Sequence, residues 1–127
     1  MSKFESSFAE YIGSEHSIAA SNCTTALHLA LKSLGIGQGD EVICPALTFI
    51  SPIHMVALSG ASPVLVDVEE DSWNLSPDKI KEAITERTKA ILVVHSFGHA
   101  ARMDEISEIA REKGLFVIED VAEALGG

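Results

Sequence analysis

The sequence has little cysteine, little positive charge and no long apolar run, and each shortage removes a class of function. Two cysteines, Cys23 and Cys44, build no disulfide framework and stand at no C-x-x-C spacing, so reduced thiols are expected and no metal site is read from them. Nine Lys and Arg against nineteen Asp and Glu give a net charge of −10, which argues against nucleic acid as a partner. No stretch is long and apolar enough to span a bilayer, and the start Met1-Ser2-Lys3-Phe4-Glu5 lacks signal-peptide anatomy. A cytoplasmic location with no membrane partner is the expectation. What remains, with 46% hydrophobic residues in 127, is an ordinary globular composition for one domain that buries roughly two-thirds of its unfolded surface.

What is present is an alternation of two periods. Lys3 to Tyr11 reads as a short helix with Phe4, Phe8 and Tyr11 on one stripe. Ser17 to Ser21 reads as a first strand. It is followed by a helix in which Leu27, Ala30, Leu31 and Leu34 recur at one-face spacing, with Gly35 as its stop. Glu41 to Cys44 reads as a second strand. Ser51 as N-cap and Pro52 at the first helical position predict the next helix, with Ile53, Val56 and Ala57 inward and Gly60 at its end. Pro63 to Val68 reads as a third, continuously buried strand, Ser76-Pro77 opens a helix to about Ile84, and Lys89 to Val94 is a fourth strand. Met103 to Lys113 predicts a helix with Ile106, Ile109 and Ala110 inward, and Leu115 to Ile118 a fifth strand that runs into Glu119-Asp120. Strands alternating with helices, with no hairpin signal, predict an α/β fold of three layers, a mostly parallel sheet between helices.

In such a sheet ligands bind outside the carboxyl ends of the strands. Ser21 to Thr25, Pro45 to Ser51 and Asp120 to Glu123 all fall at that edge, joined by the loop His95 to Arg102. Ser21, Asn22, Thr24 and Thr25 crowd the first turn of a helix, where orphan N–H groups and the dipole favour an anion. Plain N-capping by one of them is the alternative. A phosphate site, an aromatic and a carboxylate on one edge suit a planar, phosphorylated, cationic ligand. His95 and His99 stand four apart on a loop without a third ligand, so no metal site is read from them. His28 and His54 read as packed or solvated, and Trp73 as packing. A nicotinamide-binding domain shares the alternation, but the first strand is not followed by G-x-G-x-x-G.

Taken with their spacing, several segments resemble the DegT/DnrJ/EryC1/StrS family of sugar aminotransferases. They are Phe8 to Gly13, Ser21 to Leu31, Gly35 to Ile43, Gly60 to Val64, Ile84 to Ile91, Val94 to Gly98 and Val117 to Ala124, in order along nearly the whole chain. The resemblance implies pyridoxal 5′-phosphate as cofactor and a fold-type I large domain, of which residues 1–127 form the truncated N-terminal part. It implies that Thr24 and Thr25 hold the cofactor phosphate, that Phe49 stacks on the pyridine ring and that Asp120 pairs with the protonated ring nitrogen. Glu123 matches a Gln or Glu position near the ring oxygen, and Ser21 and Asn22 are neighbours. Cys23 stands where many members have glycine, and without a lowered pKa it is not a nucleophile.

Such an enzyme needs a Schiff-base lysine, which in this family lies beyond the Glu119-Asp120 strand. Lys3, Lys32, Lys79, Lys81, Lys89 and Lys113 fall on helix surfaces, in a turn or at a strand start, so no catalytic residue is assigned. The resemblance implies a full-length homodimer that moves an amino group from glutamate to a nucleotide-linked keto-sugar, with residues 1–127 inactive alone. Two alternatives stay open. One is a non-catalytic binding or oligomerisation module, and the other a fragment of a sugar dehydratase in which histidine replaces the lysine. An exposed sheet edge in so short a chain predicts self-association.

Overall fold

The computed structural model describes residues 2–126. Helix α1 spans Ser2–Ile12, α2 Cys23–Ser33, α3 Ile50–Ser59, α4 Pro77–Ala83 and α5 Met103–Lys113. Strands β1 (Glu41–Pro45), β2 (Ser62–Val66), β3 (Thr88–Val94) and β4 (Phe116–Asp120) form one parallel sheet in the order β2-β1-β3-β4. Each neighbouring strand in sequence is reached through a helix, as parallel pairing requires.

Strand alternation sorts the core into two layers. Val42, Cys44, Ala90, Leu92, Val94 and Ile118 point to the side covered by α2 and α3, against Leu27, Leu31 and Val56. Ile43, Val66, Ile91 and Val93 point to the other side, against Ile80 of α4 and Ile106, Ile109 and Ala110 of α5. Because both faces are covered, β1 is buried along its whole length and β3 everywhere except Lys89. The expected α/β architecture with its parallel sheet is therefore present. Helix α5 has the expected bounds and inward residues, and Gly114 ends it in the left-handed region while Leu115 N–H donates to the Ala110 carbonyl.

Four expectations need correction. Ser17 to Ser21 is irregular backbone, not a strand, so the described sheet has four strands. Ile18 is 76% exposed, and the Ala19 N–H donates to the Glu5 carboxylate instead of a ladder partner. Helix α3 begins at Ile50 with Phe49 as N-cap, which moves Pro52 from the first to the third helical position, where its missing N–H is still harmless. That shift rotates the buried face to Pro52, Val56 and Ser59, and Ala57 is exposed. Strand β2 is an edge strand, so one side of it is open: Leu65 is 56% exposed, and Val68 leaves the sheet for an antiparallel bridge to Leu75. Ser76 and Pro77 do open α4 as expected, with Ser76 at the N-cap and Pro77 as first residue, although the Ser76 side chain makes no capping bond.

At the amino-terminal edge of the sheet, the nearly buried Glu41 carboxylate accepts from the Thr85 hydroxyl and the Arg87 guanidinium. The Thr85 bond, then the Arg87 bond, hold its pKa below the usual 4.5. A depressed carboxyl stabilises the fold above the unfolded value and stops doing so as pH falls through the folded one. The melting temperature of Glu41→Gln should therefore lie below that of the parent at pH 7, with the gap closing below about pH 4.5. A gap independent of pH means that the ion pair is not formed.

Candidate functional site

A cleft of about 490 Å³ opens at the carboxyl ends of the strands. Four segments build it: the start of α2, the turn after β1, the turn after β3 and the end of β4. Thr24, Phe49, Asp120 and Glu123, all expected at the site, line it together.

The α2 end shows how the chain supplies free donors. Asn22 is the N-cap, and its Oδ1 accepts the Thr25 N–H at 2.9 Å. The Thr25 hydroxyl donates to the Asn22 carbonyl and pairs with the Ser21 hydroxyl. Thr25 thus braces the helix end and stands outside the cleft lining, whereas Thr24 is on it. The Cys23 and Thr24 amides precede the first intrahelical bond and are two of the orphan donors of α2.

Asp120 closes β4 opposite Val94 of β3, and only 6% of its surface is exposed. Its Oδ1 accepts from the Ala122 N–H at 3.0 Å and from the Cys23 thiol at 3.3 Å. Among the described residues no donor reaches Oδ2. Partial desolvation of the thiol, although the residue is exposed at the helix start, and then the Asp120 carboxylate push Cys23 up to about 11, so it is protonated at neutral pH and is no nucleophile. Phe49 is 72% exposed at the cleft lip because it precedes α3 instead of packing beneath it. On the same lining, the Thr48 hydroxyl oxygen is buried without a hydrogen-bond partner among the described residues.

The third wall comes from residues that sequence reasoning did not select. After β3 the chain makes a single 3₁₀ turn, Ser96–Gly98, in which Phe97 has φ 55° and ψ 31°. The Phe97 N–H donates to Glu123 Oε2 at 3.0 Å, which fixes that carboxylate on the cleft wall. Ser96 and Phe97 both line the cleft. In the sequence this turn shows only as part of the loop from His95 across the binding edge and of the Val94 to Gly98 segment that carries the resemblance. His95 itself is buried: its Nδ1 accepts the Ala101 N–H and its Nε2 meets Glu119 at 3.1 Å. With Nδ1 accepting, the neutral ring carries its proton on Nε2, and the ring ties the turn to β4. Among the described residues no three His, Cys, Asp or Glu side chains gather as a metal site, and no lysine lines the cleft.

The sequence profile of the DegT/DnrJ/EryC1/StrS aminotransferase family matches residues 1–127. The chain belongs to that family. Among curated DegT/DnrJ/EryC1/StrS relatives, the GDP-perosamine synthase of Caulobacter vibrioides is 53% identical over 98% of the chain, and that of Escherichia coli O157:H7 is 48% identical over the same share. The chain spans 33% and 34% of their lengths, about a third. The fold matches DesV of S. venezuelae with TM-score 0.95 at 45% identity, covering 97% of this chain and 33% of that one. It matches NtdA of Bacillus subtilis, a structure with bound cofactor PMP, with TM-score 0.96 at 40% identity, covering 98% of this chain and 29% of that one. A further neighbour, the putative sugar aminotransferase Spr1654 of Streptococcus pneumoniae, is likewise in its PMP form. No described helix is long and apolar enough to cross a membrane.

Proposed function

We propose that this chain is the first part of the cofactor-binding domain of an aminotransferase that takes an amino group from glutamate and delivers it to a nucleotide-linked keto-sugar. The observation that carries the reading is the buried Asp120 carboxylate, with one oxygen undonated, in a cleft that also holds an exposed Phe49 ring. The cleft fits pyridoxal phosphate at each point of its chemistry. Thr24 and the free amides of α2 suit a phosphate, and the helix end favours its charge. Phe49 offers a ring face, and Asp120 suits a protonated ring nitrogen. The unpartnered Thr48 hydroxyl lies in the same wall and has a hydrogen bond to give.

When bound, the cofactor supplies an electron sink for the substrate carbanion. The work of this chain is positional. Asp120 would keep the ring nitrogen charged, Glu123 stands on the cleft wall held by the Phe97 amide, and the α2 end would take the phosphate. The lysine that completes the reaction is supplied from outside residues 1–127, in keeping with the third of a relative's length that the chain spans. A fragment of a sugar dehydratase shares all of these features and differs only at that lysine.

Two measurements test the reading. Adding pyridoxal phosphate to the purified chain should quench Trp73, the one tryptophan, in a saturable way that inorganic phosphate reverses. No saturation at millimolar concentration removes this chain's cleft as a cofactor site. Sequencing the source transcript past the codon for Gly127 tests the domain assignment. Further strands and a lysine support it, a histidine in that place favours the dehydratase, and a stop codon leaves a binding module.

A further inference from the structure

The turn that presents Phe97 is held in a conformation that its sequence does not favour. Trp73 at φ 57° and Phe97 at φ 55° are the non-glycine residues with positive φ among those described. Each is disfavoured relative to ordinary backbone and persists only where neighbours over-determine it. These two residues touch each other: their ring centroids lie 5.5 Å apart in an edge-to-face arrangement. The next residue, Asn74, is 1% exposed. Its Oδ1 accepts the Ser96 N–H at 3.0 Å and its Nδ2 donates to the His99 carbonyl at 3.0 Å. One side chain therefore grips the 3₁₀ turn at both ends, while the tryptophan beside it packs on the ring at the turn's apex.

Asn74 is not part of the cleft lining, so it has no direct route to a ligand. What it controls is the residue after Ser96. With Ser96 fixed by Asn74 and His99 N–H bonded to the Ser96 carbonyl, the Phe97 amide is turned toward Glu123. We infer that Asn74 is a positioning residue. By clamping Ser96 and His99 it sets the orientation of the Phe97 N–H, and through it the Glu123 carboxylate on the wall of the cleft. The importance of that wall rests on the cleft being the cofactor site proposed above, but the clamp itself does not.

The pairing also explains the buried amide chemically. A leucine-sized apolar residue would fill the same space, but it would leave the Ser96 N–H and the His99 carbonyl unpaired in a dry site. Asparagine carries one acceptor and one donor on a single planar group, which matches the two unpaired backbone groups at the ends of one short turn.

The test is amide hydrogen exchange on the ligand-free chain, read residue by residue by NMR, so its result does not depend on cofactor binding. In the parent the Phe97 amide should be protected. Asn74→Ala and Glu123→Ala, the latter removing the acceptor itself, should each quicken its exchange about tenfold, as for loss of one hydrogen bond. Because the two act on one bond, the double variant should be no faster than the faster single one. The Leu92 amide in β3 should change by less than about twofold, which a general loss of stability would not allow. Should Asn74→Ala fail to fold, Asn74→Asp keeps an acceptor for Ser96 and loses the donor to His99, and it should still quicken Phe97 about threefold. An unprotected Phe97 amide in the parent, unchanged Phe97 exchange in the variants, additive effects in the double variant, or equal acceleration at Leu92 each overturns the inference.

Discussion

Asp120→Asn is expected to weaken pyridoxal phosphate binding about 100-fold while the fold is kept, and to make Cys23 more reactive toward iodoacetamide at pH 8. On the proposed reading the first effect follows from removing the buried charge meant for a cationic ring nitrogen, since truncating one partner of such a pair costs about 2–5 kcal/mol. The second needs no cofactor. The Cys23 thiol stands at about 11 instead of 9.0 through partial desolvation and, next, through the Asp120 carboxylate, which accepts its S–H hydrogen bond with Sγ 3.3 Å from Oδ1 and repels a thiolate. Asparagine removes that charge and leaves the desolvation, so the pKa falls back toward 9.0 and the thiolate fraction at pH 8 rises. Alkylation followed by mass spectrometry reads Cys23, with the buried Cys44 at about 12 as an internal control that should not respond. Unchanged Cys23 kinetics mean that the thiol and the carboxylate are not neighbours. Quickened alkylation with unchanged cofactor affinity leaves the geometry standing and removes Asp120 from the ring nitrogen.

The largest effect on stability is expected at the centre of the sheet. Leu92 is fully buried in β3, in the layer shared with Leu27 and Leu31 of α2 and Val56 of α3. Leu92→Ala removes its transfer free energy and leaves a cavity that β1 and β4 on either side prevent from collapsing. About 3–4 kcal/mol is lost, a large part of the 5–15 kcal/mol that a domain typically has. Leu58 of α3 carries the same side chain at 62% exposure, and Leu58→Ala should shift stability by no more than about 0.5 kcal/mol. Urea denaturation of both variants measures the contrast in midpoint at constant slope. Similar losses at the two positions mean that α3 does not cover the sheet as described.

How much of this was legible in the sequence depends on whether a feature is local. Helix α5 was read to the residue because a strong 3.6 period, acidic residues at its start and Gly114 at its end all act within the segment itself. Strands β1 and β3 were legible as apolar runs between turn residues. The irregular Ser17 to Ser21 shows the limit, because β-branched residues make a strand only when another strand is there to pair with. The exposed side of β2 fails for the same reason, since edge position belongs to the sheet and not to the segment. At the site, residues with a chemical signature (Thr24, Phe49, Asp120, Glu123) are legible as candidates in the sequence and line one cleft. Thr25 was grouped with Thr24, although helical geometry turns adjacent residues in different directions and gives Thr25 to the cap. Asn74 and Phe97 were invisible, because a positive φ and a contact across 22 residues leave no pattern in the order of amino acids.

The contact between Cys23 and Asp120 joins residues 97 positions apart. A ribosome adding 5–20 residues per second makes the start of α2 roughly 5–20 seconds before the last strand can seat beside it. Through that interval the helix end has its amides but no carboxylate opposite, and β3 has no partner on the β4 side. The nascent chain therefore carries an open apolar surface and a half-built pocket until β4 emerges. Parallel strands joined by long crossovers are slow to pair, which prolongs the exposure. A ligand that meets both the α2 end and Asp120 can therefore begin to stabilise the fold only after Asp120 has left the exit tunnel.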